Sequence, residues 1–425
     1  MVNQVVHGPM LIPAGDGSVA YYPDGILAAD GEGTIQFAGD EKGSRALFTG
    51  AMHRRSDGVI LPPLLDIHTH IPQHPIRGRF VEGVPEDVPG GKLLTGLQRN
   101  VFPAEAGCDN ADCAEQVVRQ FLADTLSHGV VGGAAYMTRS SLATEIALSI
   151  LPPTWSVGLV LMNQNCPENL RTTEGSLDAD VERLVKQFGR RLIITDRFAV
   201  AVNSQLRRRA ALLAQKFGLR TQTHLNEQTG EKEFVKQLYP GYASYADVYL
   251  KDGLLKHSCI TAHCIQMTED EWEIVRDTGS VIAHCPTSNL LLGSGVMNLD
   301  QVVERQIPYA IGTDVGASPT VSMLAEIGRF LRVHRETSTH ATAVEALHRS
   351  TRAPADLLGL GAELSRLEVG KPMSFIEVEC QTPSVATAEA AIRSLLPTDL
   401  DHPAQAVNRV TVAGKTLFER GRGNA

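Results

Sequence analysis

The sequence predicts an α/β protein: a (β/α)8 barrel of the TIM type with a small β-sandwich-like domain made from both ends of the chain. Three observations carry that prediction. Strand-like apolar runs alternate with helical periodicities through the middle of the chain, as in a parallel sheet. The run Val59-Ile60-Leu61-Pro62-Pro63-Leu64-Leu65 feeds into Asp66-Ile67-His68-Thr69-His70, a buried strand that ends in polar side chains. Both ends of the chain read instead as short β segments between turn signals.

The first 60 residues carry turns at Ala14-Gly15-Asp16-Gly17 and Ala29-Asp30-Gly31-Glu32-Gly33. Met373-Ser374-Phe375-Ile376-Glu377-Val378 and the segment 407–415 are their counterparts at the far end. Residues 1–60 plus 371–425 are therefore expected to pair into the small domain, and 61–370 to form the barrel. Eight strand candidates fall at 66–70, 130–136, 156–162, 192–195, 219–224, 258–263, 280–284 and 308–314. Helical spacing of apolar residues separates several of them, at 114–127, 205–217, 268–277 and 321–335. Eight such units match a barrel. A doubly wound open sheet would place G-x-G-x-x-G after its first strand, and none occurs there. Residues 77–105 interrupt the alternation with Gly78, Gly83, Pro85, Pro89, Gly90 and Gly91. A loop-rich insert is expected there, either covering the barrel mouth or running over the surface.

Among 425 residues, 39 are basic and 48 acidic, giving a net charge of -9 without long blocks of one sign. That balance argues against nucleic acid as a partner. The triplet Arg207-Arg208-Arg209 lies in a helical pattern and is expected to be a solvated face. The seven cysteines form no C-x-x-C, so neither a zinc ribbon nor a disulfide scaffold is indicated, and a reducing, cytoplasmic compartment is expected. The start, Met1-Val2-Asn3-Gln4, lacks the layout of a signal peptide, and no apolar run is long enough to span a bilayer.

The chemistry concentrates at strand ends. His68 and His70, two apart on a strand, point to the same side. His224 ends the fifth candidate strand, His263 the sixth and Asp314 the eighth. One such residue says little, but five at the corresponding end of four barrel strands mark a metal site, because that end carries barrel active sites. His68, His70, His224 and Asp314 are the candidate ligands of one divalent ion, a set that suits Zn2+ and also Fe2+, with a further position for water. Such an ion lowers the pKa of bound water from ~15.7 toward ~7. Glu227, three residues past His224, is placed to carry a proton. Asp314 can also accept the proton of the attacking water, and His263 is expected to hydrogen-bond the hydroxide rather than bind metal. His284 is expected to pack or hydrogen-bond near the seventh strand, and His74, His334, His340 and His348 not to be ligands. Cys264 and Cys285 lie beside the site without a basic partner, so no nucleophilic role is expected.

These residues resemble the amidohydrolase superfamily in its mononuclear deaminase branch. Arg197 stands where binuclear members carry a bridging lysine. Within the branch the chain is similar to the guanine deaminases, on His68-Thr69-His70-Ile71-Pro72-Gln73, Phe102-Pro103-Ala104-Glu105, Leu161 through Pro167, Arg197-Phe198, Leu238-Tyr239-Pro240 with Tyr245, and His284-Cys285-Pro286-Thr287-Ser288-Asn289. The likeness covers roughly Leu61 to Gly370. It implies hydrolytic deamination of guanine to xanthine and ammonia by a metal-bound hydroxide, in a homodimer. Gln73 and Arg197 would read the purine, with Phe198 shaping its slot. The plainer alternatives are a salt bridge in the barrel mouth for Arg197 and a loop hydrogen bond for Gln73. Five departures from the family pattern stand out: Pro72, Gly96 in place of a tryptophan, Asn226, Asp196 before Arg197, and Val315-Gly316-Ala317-Ser318, which lacks the usual Gly-Gly pair. They leave room for 8-oxoguanine, isoguanine or a pterin as substrate. A non-enzymatic binding protein of this family could dispense with Glu227 and Asp314, and both are present.

Overall fold

A parallel sheet of eight strands forms the centre of the computed structural model, which describes residues 1–40, 42, 48–86, 88, 91–380 and 386–421. Pro89 and Gly90 of the expected insert, and residues 41, 43–47, 381–385 and 422–425 of the expected terminal domain, lie outside the described residues. The chain opens with β1 (Val2–Pro13), β2 (Val19–Asp30), β3 (Ile35–Asp40), β4 (Met52–Arg55) and β5 (Val59–Leu61). The barrel strands follow as β6 (Leu64–His70), β7 (Val130–Tyr136), β8 (Trp155–Leu161), β9 (Leu192–Asp196), β10 (Arg220–Leu225), β11 (Ile260–His263), β12 (Val281–His284) and β13 (Tyr309–Ile311). β14 (Phe375–Val378), β15 (Val407–Val412) and β16 (Lys415–Glu419) end the series. All eight expected barrel strands are present, shifted by a few residues at their ends.

Each barrel strand from β6 to β13 pairs in parallel with the next in sequence. Strands β6, β7 and β8 are buried along their whole length, which explains why they read as continuous apolar runs rather than alternations. Small side chains (Ala134, Ala262, Ala283, Ala310) pack with Ile67, Ile193 and Ile260 inside the barrel, and Leu358 joins them. The outer faces are covered by amphipathic helices. Ala111–Ser127 turns Ala114, Val117, Val118, Phe121 and Thr125 inward at helical spacing. Its N-terminus is capped by Asn110, which accepts from the Cys113 amide at 3.0 Å.

Both termini build one further sheet, in the order β16-β15-β14-β5-β1-β2-β3, with β4 also on β1. Strand β5 is the junction. It pairs in parallel with β1 through Met10↔Ile60 and antiparallel with β14 through Ile376↔Leu61. Pro62-Pro63 then break the ladder, and β6 begins at once. The small sheet is therefore coupled to the strand that carries His68 and His70.

One expectation fails here. Arg207 is not part of a solvated face but fully buried. Helix Ser204–Phe217 turns Leu206, Arg207 and Ala210 inward together. Arg207 Nε donates to Asp196 Oδ2 and Nη1 to Asp252 Oδ2, each at 2.8 Å, between the rings of Tyr239 and Tyr249. Two carboxylates and two aromatic faces make burial of this guanidinium tolerable. Arg208 and Arg209 do reach solvent. Among the described residues no helix is long and apolar enough to cross a membrane. Arg207→Met should leave two buried carboxylates short of their partner and lower unfolding stability by about 3–5 kcal/mol, read from urea denaturation.

Candidate active site

The site forms where β6 and the segment after β13 meet. Backbone bonds from Asp314 N to His68 O (2.8 Å) and from His70 N to Val315 O (2.9 Å) join the last strand to the first. Asp66 reinforces the seam, accepting from Thr313 N at 3.0 Å, Thr313 Oγ1 at 2.5 Å and His68 N at 3.1 Å. Burial raises its carboxyl to about 6, against the pull of those hydrogen bonds. The chain leaves β11 and β13 through left-handed residues, His263 at φ 74° and Asp314 at φ 52°. Non-glycine residues held there cost about 1–3 kcal/mol each, strain typical of functional positions.

His68, His70, His224 and Asp314 offer donor atoms that all lie within 4.8 Å of one another, and all four are buried. His68 Nε2 and His70 Nε2 stand 3.2 and 3.1 Å from Asp314 Oδ1. Both ring nitrogens of His68 and Nδ1 of His70 are buried without a hydrogen-bond partner. Burial drives His70 down to about 3 and His224 well below the ordinary imidazole range, so these rings are neutral and keep a lone pair. His224 Nδ1 donates to the Arg197 carbonyl at 2.5 Å, which fixes the tautomer and leaves Nε2 facing the group. Burial alone would raise Asp314, but the His68 and His70 rings beside it hold it well below the carboxylate range. Three imidazoles and one carboxylate with unshared donors fit a divalent cation.

His263 stands beside this group. Its Nδ1 bonds Asn289 Oδ1 at 2.8 Å, while Nε2 lies 3.5 Å from Glu227 Oε2 and 4.0 Å from Asp314 Oδ2. Ser288 Oγ donates to Asp314 Oδ2 at 2.5 Å. One turn of helix, Pro286–Leu291, thus orients both His263 and Asp314. Glu227 is buried. Desolvation, with Glu231 and Asp314 adding repulsion, raises its carboxyl well above the ordinary range, which favours the protonated form. Glu231 accepts from the Glu227 amide at 2.9 Å and secures its backbone.

A small cavity opens over these groups. Its polar wall includes Gln73, Arg197 and Glu227, and Phe198 lines it as well. Phe80, Leu93 and Leu97 of the insert also line it, so the described part of that segment covers the mouth rather than wandering over the surface. Gly96 makes this covering fit: a Cβ there would meet the Phe80 ring at 2.7 Å. Arg197 and Gln73 make the plainer contacts too, because both hydrogen-bond Glu105 Oε1.

Sequence reasoning missed Glu105, Ser288, Asn289, Asp66 and Glu231 as residues that hold the site. Glu105, Ser288 and Asn289 stood inside quoted motifs, yet their partners are not adjacent in sequence. His284 bonds His334 Nε2 at 2.9 Å, as a hydrogen-bonded residue near the seventh strand. Burial raises the thiols of Cys264, to about 12, and of Cys285, which removes thiolate chemistry.

The amidohydrolase family profile matches residues 59–417. The chain belongs to the amidohydrolase family. It is 30% identical over 372 residues to the guanine deaminase of Escherichia coli (strain K12), covering 85% of this chain and 82% of that one. The guanine deaminase of Rattus norvegicus is 33% identical over 328 residues, 73% of this chain and 70% of its own. A solved structure of E. coli guanine deaminase superposes with a TM-score of 0.86 at 25% identity, covering 99% of this chain and 100% of that one. Family and donor set together support a divalent metal as the cofactor. Metal analysis should find one tightly held divalent ion per chain, and His68→Ala or His224→Ala should lower its affinity at least about tenfold.

Proposed function

We propose that this amidohydrolase deaminates guanine hydrolytically, giving xanthine and ammonia, with zinc as its single ion. The observation that carries the reading is one cavity in which the four-donor group, the buried Glu227 carboxyl and the Gln73–Arg197 wall meet. Two guanine deaminases that resemble the chain over most of its length support the choice of base. His68, His70, His224 and Asp314 would hold the ion, and three imidazoles with one carboxylate suit zinc. A divalent ion there supplies Lewis acidity that brings the pKa of water from about 15.7 toward about 7.

The remaining steps belong to side chains. Asp314, kept ionised by His68 and His70, takes the proton that the attacking water gives up. His263 Nε2, with Nδ1 tied to Asn289, orients that water. Glu227 donates its proton to the ring nitrogen beside C2 as oxygen adds to that carbon. The amino group on C2 then takes up the proton held by Asp314 and leaves as ammonia; the C2–N bond breaks as the C2 carbonyl forms, and the hydroxyl proton passes to Glu227, which restores it. Gln73 and Arg197 hold the ring by hydrogen bonds, and Phe198 flanks it. Phe80, Leu93 and Leu97 keep bulk water out, which strengthens each polar contact inside. A homodimer and a cytoplasmic location belong to the same reading.

The test is ammonia release from guanine, 8-oxoguanine, isoguanine, adenine, cytosine and pterins. Guanine is expected to be turned over fastest, and inert guanine would overturn the reading. Glu227→Gln should retain its metal while kcat falls by roughly 10²–10⁴. Near-normal turnover in that variant would remove Glu227 from the mechanism.

A further inference from the structure

Helix Phe102–Gly107 carries Phe102 and Glu105 three residues apart, on one face. Both bear on Arg197. Its guanidinium lies 5.6 Å from the centroid of the Phe102 ring and ion-pairs with Glu105 Oε1. The same carboxylate oxygen accepts from Gln73 Nε2 at 3.0 Å. Glu105 is fully buried and stands behind the part of the cavity wall that Gln73 and Arg197 form.

We infer that Glu105 is a positioning residue that decides which end of the Gln73 amide meets the substrate. The inference rests on the cavity being the guanine site. An ion-paired carboxylate only accepts hydrogen bonds. The Gln73 amide therefore turns its nitrogen toward Glu105, and Oε1 is left over. That oxygen is buried and has no hydrogen-bond partner in the protein. The Arg197 N–H groups that Glu105 does not engage are donors held in one plane. The wall then offers one acceptor beside several donors, and a ring that fits it carries an N–H close to acceptor atoms. Guanine has that pattern. A neutral partner at position 105 would free the amide to turn over and present the wrong atom, so Glu105 acts on affinity through Gln73 without touching the ring.

The test is a double-mutant cycle. Glu105→Gln keeps the shape, removes the charge and supplies an amide of its own. KM for guanine should rise at least about tenfold while kcat stays within about threefold and metal content is unchanged. Gln73→Ala alone should cost a similar factor, and adding it to Glu105→Gln should cost less than about twofold more, because the two residues act as one unit. Losses that multiply, or a Glu105→Gln loss confined to kcat, would overturn the inference. If Glu105→Gln does not fold, the cycle is run on Glu105→Asp, which keeps the charge but draws it back by one methylene. The same non-additivity is expected there, and losses that multiply would again overturn the inference. The amide orientation is also read without substrate, from the Gln73 side-chain NH2 signals in nitrogen-15 glutamine-labelled protein. These should be protected from exchange in the wild type and lose that protection in Glu105→Gln. If the wild type turns over no guanine, the functional reading falls while these signals decide on Glu105, and unprotected wild-type signals sink it.

Discussion

The hydrogen bonds that close the barrel are the constraint on which the site depends. Asp66 and Thr313 lie 247 positions apart, yet one carboxylate on β6 takes two bonds from Thr313. The backbone bond from Asp314 N to His68 O then places the last acidic side chain against the first two imidazoles. Remove that seam and the four donors no longer converge, because His68 and His70 belong to one end of the barrel sequence and Asp314 to the other. The junction strand β5 adds to this, since both termini pair on it immediately before β6.

Around this seam, neighbouring strands divide the work. His224 points Nε2 at the group because its other nitrogen is tied to the carbonyl of Arg197, so a proposed ligand and a proposed base-reading residue share one contact. Asp196, one residue earlier, holds Arg207, and Thr223 Oγ1 lies 3.3 Å from the same Asp196 carboxylate. The Tyr249 hydroxyl accepts from Thr223 at 2.7 Å and donates to the His224 carbonyl at 3.0 Å. The ends of β9 and β10 are thereby braced together from outside the barrel. Such bracing keeps reacting groups in place, which is worth more to catalysis than any one added contact.

Much of this was legible in the sequence because barrel strands announce themselves locally. The strands are largely buried and read as apolar runs, and polar residues that face the mouth lie at or just past the ends of β6, β10, β11 and β13. His68, His70, His224, His263 and Asp314 were found by position alone. Four of the five departures from the family pattern, those at Pro72, Asn226, Asp196 and Gly96, also have local physical accounts. Pro72 falls in the first turn of the short helix Ile71–Ile76, where an amide would have no helical partner. Asn226 sits at φ 51°, a left-handed conformation that asparagine tolerates. Asp196 is the counter-ion of Arg207. Gly96 makes room for Phe80, and a Cβ at Gly316 would come within 2.8 Å of Gln73 Cβ. These four changes fit their surroundings, and none removes one of the proposed catalytic groups. What could not be read were the contacts between segments far apart. Arg207 looked solvated because Asp252 is 45 positions away, and Glu105 showed no role because Arg197 is 92 positions away. Periodicity along a helix says which side faces inward but not which carboxylate waits there.

The central claim is that one cavity holds the ion, the proton carrier and the base-reading wall around a single guanine ring. A crystal structure of metal-loaded Glu227→Gln with guanine tests it most directly. The account predicts the ring within the cavity, with C2 facing the ion and Asp314, a ring nitrogen against position 227, and hydrogen bonds to Gln73 Oε1 and Arg197. A ring that binds outside this cavity, or one that turns a different carbon toward Asp314, would contradict it.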